Sequence, residues 1–476
     1  MNKLTKIIAT IGPVTDSEEM IEKLINAGVN VFRFNFKHNT VEWHSERIER
    51  VNKVANSMGV HIGTLIDLQG PEIRINMPGD SIEIKEGELL VFGEDSFKEG
   101  NKGFSITHPD IIEHLQEGQL ILADDGTFNF NVVRKDGKTY LKANRTGLLK
   151  QRKNLNIPGA DFPFPVLVER DFDGLKLAVR HEIDFVALSF VRTVDDLKLI
   201  RSEMKKYEVN ALLISKIENQ KALDNIDGII ELSDGIMVAR GDMGVELPTE
   251  QVPYYQKKII RKCMERGIPV ITATQMLQSM VENPQPYRAE VSDIANATYD
   301  RTDAVMLSAE TASGKYPLEA VQVMAKTAEF NEKRFLRDVR KTVDYRTENV
   351  PALICDTAYN LYVGLKSEKV NVVGFLVFSQ TGRTARLISR YRPDAPIYSF
   401  SPSKTVSDSL ALSFGVDPCT QEREQKGQVN KNDVLNAITF LREKKGLPKG
   451  GKLIVLHGDV WAVEGGTSTI RLVEIQ

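Results

Sequence analysis

The sequence predicts an α/β chain: a (β/α)8 TIM barrel, an inserted β-barrel lid domain and a C-terminal α/β domain. Three observations predict it. Short β-branched apolar runs alternate with amphipathic stretches, a turn-rich interval interrupts that rhythm, and polar side chains collect at the C-terminal ends of the runs.

The barrel runs, in order, are 6–11, 29–36, 61–68, 184–190, 211–218, 235–240, 269–275 and 304–310. Between them apolar residues recur at helical spacing, as in Met20, Ile21, Leu24 and Ile25, or Ile259, Ile260 and Cys263. From about Ile73 to Pro165 the pattern changes to short strands with turns at Pro78-Gly79-Asp80, Glu86-Gly87-Glu88, Asp125-Gly126 and Asp136-Gly137-Lys138. The Pro-rich exit, 157–165, reads as a hinge, and a domain inserted over a catalytic face commonly serves as a lid. A charged helical stretch from Ala320 to about Thr347 leads to a last domain with strands expected at 370–379, 396–401, 415–420, 452–457 and 470–475. The expected divisions are residues 1–72 and 167–345 for the barrel, 73–166 for the lid and 346–476 for the C-terminal domain.

Composition narrows the function. The chain has 476 residues and a formal net charge of −3, so no global field draws it to nucleic acid or an anionic membrane. Any phosphate must be held locally. Cys263, Cys355 and Cys419 lie far apart with no CxxC pair, which argues against a disulfide framework or structural zinc. No apolar run is long enough to span a bilayer and the first residues carry no apolar leader, so the expectation is a soluble cytoplasmic protein.

Polar residues in barrel strands need a reason, because such strands are apolar on both faces. In Val31-Phe-Arg-Phe-Asn-Phe-Lys-His38 the two-residue period puts Arg33, Asn35 and Lys37 on one face and three phenylalanines on the other. Lys216 and Glu218 share a face at the end of strand five, and Asp242 follows strand six between Gly241 and Gly244. Glu218 and Asp242 together suggest a hard-cation site suited to magnesium, completed by a phosphorylated substrate. Asp67 to Arg74, Thr272 to Gln275 and Ser308 to Glu310 finish the ring. Such a cationic, metal-lined cup suits phosphoryl transfer, where charge neutralisation and alignment supply most of the catalysis. GxxxxGK[ST] and the kinase Gly-rich loop are both absent.

Along nearly its whole length the chain resembles the pyruvate kinase family. Ala9-Thr-Ile-Gly-Pro13, Arg33-Phe-Asn-Phe36, Gly70-Pro-Glu-Ile-Arg74, Ile214-Ser-Lys-Ile-Glu-Asn219, Met237-Val-Ala-Arg-Gly-Asp-Met-Gly244, Ala273-Thr-Gln-Met-Leu277, Arg288 to Asn296 and Met306-Leu-Ser-Ala-Glu-Thr311 carry the resemblance. It implies transfer of a phosphoryl group from phosphoenolpyruvate to ADP, giving pyruvate and ATP, in a homotetramer. By motif position, Glu218 and Asp242 would bind Mg2+ or Mn2+, and a second ion would come with the nucleotide. Lys216 would steady the moving phosphoryl group and the enolate. Arg33, with Arg74, would grip phosphate oxygens, and Arg74, Asn35 and His38 would face the nucleotide. The N–H groups of Gly241 and Asp242, with Thr274, would seat the substrate carboxylate; Thr274 and Ser308, through water, are the candidate proton donors.

One departure carries a mechanistic expectation. Family members that require potassium hold it with Asn, Ser and Asp side chains and a carbonyl. Here Asn35, Asp67 and the Leu68 carbonyl match, but Lys37 takes the serine position. The expectation is that the Lys37 ammonium replaces the ion, pairs with Glu72 or Asp67, and removes the potassium requirement. The alternative is that Lys37 turns to solvent. Ala309, Met243 and Tyr287 are milder departures.

In the last domain, Phe378 to Thr384 runs from a strand through a hydroxyl-rich loop into a helix, which suits either helix capping or a phosphate. The resemblance favours a phosphorylated small-molecule effector held by Ser379, Thr381, Gly382, Arg383 and Thr384, with the loop 458–469, including Trp461 and Glu464, completing the pocket. Two rivals stand beside this reading: a barrel phosphotransferase with a phosphorylatable His domain, for which the chain lacks length, and a catalytically silent sensor of phosphorylated metabolites.

Overall fold

The computed structural model describes residues 3–160, 162, 164–335, 345, 347, 349–421, 431–458 and 465–476. Eight parallel strands close a barrel: Lys6–Thr10, Val31–Asn35, Gly63–Asp67, Phe185–Leu188, Leu212–Ile217, Gly235–Ala239, Val270–Ala273 and Ala304–Leu307. All eight expected runs contain their strand. The strands are shorter than the runs because each run continues into the turn that carries its polar side chains.

Alternation along the strands divides the apolar residues into two layers. Phe32, Phe34 and Phe36 join the layer between strands and helices. Ile8, Val31, Leu65, Phe185, Ile214, Met237, Ile271 and Met306 fill the lumen, and Ala411 and Leu412 of the C-terminal domain close its base. The helices form where expected: Glu18–Ala27 is capped by the Ser17 side chain and ends at Gly28 with φ 113°.

The insert holds a seven-stranded mixed sheet and a separate two-stranded ribbon, Ser81–Ile84 with Gly147–Lys150, around one core that includes Leu90, Phe104, Phe130 and Leu141. Hydrogen bonding is therefore divided between two sheets of the lid. Its exit strap is tied to the barrel by Arg192, whose guanidinium donates to the carbonyls of Phe162 and Phe164 at 2.9 Å each.

The C-terminal domain is a five-stranded sheet in the order Val416–Thr420, Ile397–Ser401, Val372–Phe378, Lys452–Gly458 and Thr467–Glu474, the last strand antiparallel. It docks on the barrel base through buried polar contacts. Arg392 forks onto Asp303 at 3.0 and 2.5 Å, Lys6 Nζ donates to the Val416 carbonyl at 2.6 Å, and His61 Nδ1 meets Asp408 at 2.6 Å. Among the described residues no helix is long and apolar enough to cross a membrane.

Asp184, beside this seam, accepts the Thr64 N–H at 2.8 Å and its hydroxyl at 2.9 Å. Burial first, then the Asp408 carboxylate, push its carboxyl up to about 8. A carboxyl raised on folding favours the native state fully at pH below its unfolded value of about 3.9 and loses that contribution as pH climbs through about 8. Asp184→Asn, which mimics the protonated form, should therefore stabilise the protein progressively more between pH 5 and pH 8. Urea midpoints of both proteins at the two pH values measure the difference, and an equal gap at both would contradict it.

Candidate functional site

The C-terminal ends of the strands form one rim, and side chains from strands one to five meet there. The Arg33 guanidinium, 8 % exposed, lies on Asp67 with Nε and Nη2 both 2.7 Å from Oδ2, and Nη1 donates to Thr10 Oγ1 at 2.9 Å. Lys216 Nζ donates to Ser189 Oγ at 2.8 Å and lies 2.9 Å from Glu218 Oε1 and 3.3 Å from Asp67 Oδ1. Glu218, 1 % exposed, also accepts the Phe190 N–H at 2.7 Å.

These charges set one another. Burial would raise the Asp67 carboxyl, but Lys216 and Arg33 outweigh it and hold it below the usual carboxylate range. Burial pulls the Lys216 ammonium down, while Asp67, Glu218 and Asp242 together lift it above the ordinary lysine value. Glu218 ends raised, by burial and then by the Asp242 carboxylate, against the pull of Lys216. A buried carboxylate that a second carboxylate disfavours is one that a divalent cation would relieve, so this donor set fits a magnesium-like ion.

Thr274 shows backbone strain. Its φ is 67°, and Gln275 follows at 55°, a left-handed region that β-branched residues avoid. Arg240 holds the strained segment by donating to the carbonyls of Thr274 at 2.8 Å and Ala273 at 3.3 Å, and it is itself fixed by Asp293 at 2.7 Å. Thr274 Oγ1 consequently meets the Gly241 N–H at 2.7 Å. A Cβ on Gly241 would come within 3.2 Å of that hydroxyl, so the glycine permits the approach. Asp242 is half-buried in the first turn of the short helix Arg240–Glu246, and Ser308 caps Ala309–Ala312 with its N–H on Glu310 at 2.7 Å.

Lys37 departs from the strand-face expectation. The strand ends at Asn35, so Lys37 sits in the following turn rather than in register with Arg33, and its N–H points to Asn35 Oδ1 at 3.4 Å. Its ammonium reaches Glu72 instead of solvent. Arg74 grips the same carboxylate from the other side at 2.6 and 2.9 Å, and the Glu72 side chain is 6 % exposed. Burial, Arg74 and Lys216 depress the Lys37 ammonium against the pull of Asp242 and Glu218. The Leu68 carbonyl accepts the Ser189 hydroxyl at 2.7 Å. His38 stands exposed at the rim.

Sequence reasoning missed Ser189, Thr10, Arg170 and Asp171. The last two open the helix Glu169–Arg180, directly after the lid's exit. Asp171 accepts the N–H groups of Gln69 at 2.8 Å and Gly70 at 3.2 Å, which holds the loop after strand three. Arg170 donates to the carbonyls of Phe36, His38 and Asn39, which holds the loop after strand two. Lys37 and Glu72 lie on these two loops. The available signal was a charged pair at a helix start; its partners are more than a hundred residues earlier and leave no trace in the local pattern.

In the C-terminal domain the Ser379 N–H joins the Phe400 carbonyl at 3.0 Å, Gly382 has φ 75°, and Arg383 is exposed. Thr384 is 5 % exposed and its hydroxyl meets that of Thr467 at 2.7 Å. Trp461 and Glu464, expected to complete the pocket, lie outside the described residues.

The family described as "Pyruvate kinase, barrel domain" matches residues 2–321, and "Pyruvate kinase, alpha/beta domain" matches residues 364–473. Pyruvate kinases of Staphylococcus epidermidis and Staphylococcus aureus are each 40% identical over 475 residues, covering 99% of this chain and 80% of theirs. The crystal structure of a pyruvate kinase from Cryptosporidium parvum aligns with TM-score 0.90 and 32% identity, covering 100% of this chain and 97% of that one.

The double clamp has a measurable consequence. Arg170→Leu should raise hydrogen exchange at the Phe36 and His38 amides by about tenfold or more, while Gln69 and Gly70, held by Asp171, keep their rates. Equal protection in both proteins would contradict the role given to Arg170.

Proposed function

The chain belongs to the pyruvate kinase family, and from that premise we propose that it transfers the phosphoryl group of phosphoenolpyruvate to ADP at this rim. The observation that carries the reading is the Lys216 ammonium, held by Ser189, Glu218 and Asp67 beside the Arg33 guanidinium. Two cations on a buried carboxylate frame make a seat for a phosphate that loses, in transit, its bond to one oxygen and gains one to another. Arg33 grips the non-bridging oxygens. Lys216 stays protonated in this field and faces both the moving group and the enolate oxygen it leaves. Thr274 and Gly241, already joined, supply polar groups for the substrate carboxylate. Thr274 and Ser308 are the candidates for relaying a proton, through water, to the enolate carbon. Arg74, Asn35 and His38 line the nucleotide side.

Glu218 and Asp242 would hold the divalent ion, Mg2+ or Mn2+, whose charge when bound screens the two anionic reactants from each other. A homotetramer, a cytoplasmic location and a phosphorylated effector at Ser379, Thr381, Gly382 and Arg383 belong to the same proposal, with Thr384 supporting that loop from beneath.

Potassium independence rests on Lys37. The ammonium lies between Glu72 and the rim and meets the Glu72 carboxylate, while burial, Arg74 and Lys216 depress it. A dry anion site that lost this charge would bind its substrates less well.

A coupled assay of ADP-dependent pyruvate formation, with monovalent metal cations replaced by a tetraalkylammonium salt, tests both levels. The unaltered protein should keep its rate within about twofold when potassium is added. Lys37→Ser should lose about a hundredfold without potassium and recover with it, on the scale of one transition-state contact. Strong potassium activation of the unaltered protein would overturn the replacement. Absence of turnover with magnesium or manganese under any salt would overturn the activity itself. Lys216→Met should reduce kcat about a thousandfold or more while leaving the unfolding midpoint measurable.

A further inference from the structure

The turn after the strand Val31–Asn35 carries Lys37 and His38, and two helix starts hold its backbone. Arg170, opening the helix Glu169–Arg180, donates to the carbonyls of Phe36, His38 and Asn39. His44 lies in the first turn of the helix Val41–Met58, and its Nε2 is 2.8 Å from the same His38 carbonyl oxygen. Asn39, at φ 61°, takes the left-handed conformation that lets the chain double back into that helix.

His44 is 1 % exposed and surrounded by rings, with centroids of Phe36 at 5.0 Å, Trp43 at 5.0 Å and Phe34 at 6.4 Å. Burial draws its imidazole down to about 4 against the pull of the His38 carbonyl, so at neutral pH the ring carries one proton. A carbonyl oxygen only accepts, which assigns that proton to Nε2. Nδ1 is sealed from solvent and meets no partner among the described residues. An imidazole with one nitrogen unmet is a costly way to fill an apolar layer, where phenylalanine would leave nothing unpaired. The contact that a phenylalanine could not make is the one to the His38 carbonyl.

We propose that His44 is a positioning residue for the reaction: its Nε2–H, on the carbonyl it shares with Arg170, fixes the turn that sets the Lys37 ammonium on Glu72 and His38 on the nucleotide side. It touches no reactant and acts through the backbone of residues 36–39. Without this donor the turn keeps Arg170 alone, and Lys37 and His38 gain freedom that substrate binding must then remove. The inference rests on the reading of this rim as a phosphoryl-transfer site with ADP on the side of His38.

Two variants of the full chain separate positioning from packing. His44→Phe keeps a ring and loses the donor, whereas His44→Gln loses the ring and keeps an N–H at the reach of Nε2. The Phe variant should raise KM for ADP about tenfold while kcat stays within about threefold. Acylation of Lys37 by an N-hydroxysuccinimide ester, read by mass spectrometry, should quicken about threefold or more in the same variant. The Gln variant should return both readings to within about twofold of the unaltered protein. Packing alone gives the opposite order, a harmless Phe and an impaired Gln, and that order overturns the proposal. Absence of pyruvate formation by the unaltered protein strikes the phosphoryl-transfer reading instead, and Lys37 labelling then decides the role of His44 by itself. One measurement needs no variant. Neutron diffraction from crystals of the unaltered protein should place a deuteron on His44 Nε2; a deuteron on Nδ1 alone would refute the assignment.

Discussion

Two cations, Arg33 and Lys216, can lie side by side away from water only because the Asp67 carboxylate sits between them. Asp67 comes from strand three, Arg33 from strand two and Lys216 from strand five, so barrel closure brings them together. The register that pairs Asn35 with Asp67 and Ala187 with Asp67 sets their heights on the rim. Removing the carboxylate would leave two buried positive charges in mutual repulsion, whereas removing either cation leaves Asp67 one partner. Glu218 plays a different part. It touches the same ammonium yet remains disfavoured by Asp242, so the frame holds both a stable cationic half and an anionic half that a divalent ion would complete.

The fold was legible because barrel strands alternate between two apolar layers, and residues that break the alternation at strand ends stand out. Arg33, Lys216 and Glu218 were found that way. Lys37 shows where the reasoning fails: parity holds only while the strand lasts, and two residues past Asn35 the backbone turns. Ser189 was missed because a small hydroxyl at a strand end looks like ordinary turn chemistry, although it links Lys216 to the Leu68 carbonyl. Arg170 and Asp171 were missed for another reason. Their partners lie on the far side of the inserted domain in sequence, and contacts of that kind carry no periodicity.

That placement gives the lid a mechanical address. Its exit strap is fastened by Arg192 at Phe162 and Phe164, and the next ordered turn contains both clamping residues. Displacement of the strap would be felt first by Arg170 and Asp171, then by the loops bearing Lys37 and Glu72. Asn156, near the end of the lid's last strand, also meets Glu246 at 3.3 Å, so the insert touches the rim on the side of Asp242 as well. The insert is therefore joined to the barrel at two places, through Arg192 and through Glu246.

The Lys37–Glu72 contact carries a cost that a bound metal ion would not. An ammonium on a chain is entropically confined and cannot leave, so its charge is present whether or not substrate is bound. A diffusible ion binds more tightly when anionic substrate arrives and so couples its own concentration to turnover. The proposed exchange would trade that coupling for permanence. Glu72 bears on the proposed exchange because its carboxylate meets the ammonium, which burial, Arg74 and Lys216 depress. A lysine at the serine position beside a retained acid is consistent with the proposed replacement, because the carboxylate that remains meets the new cation.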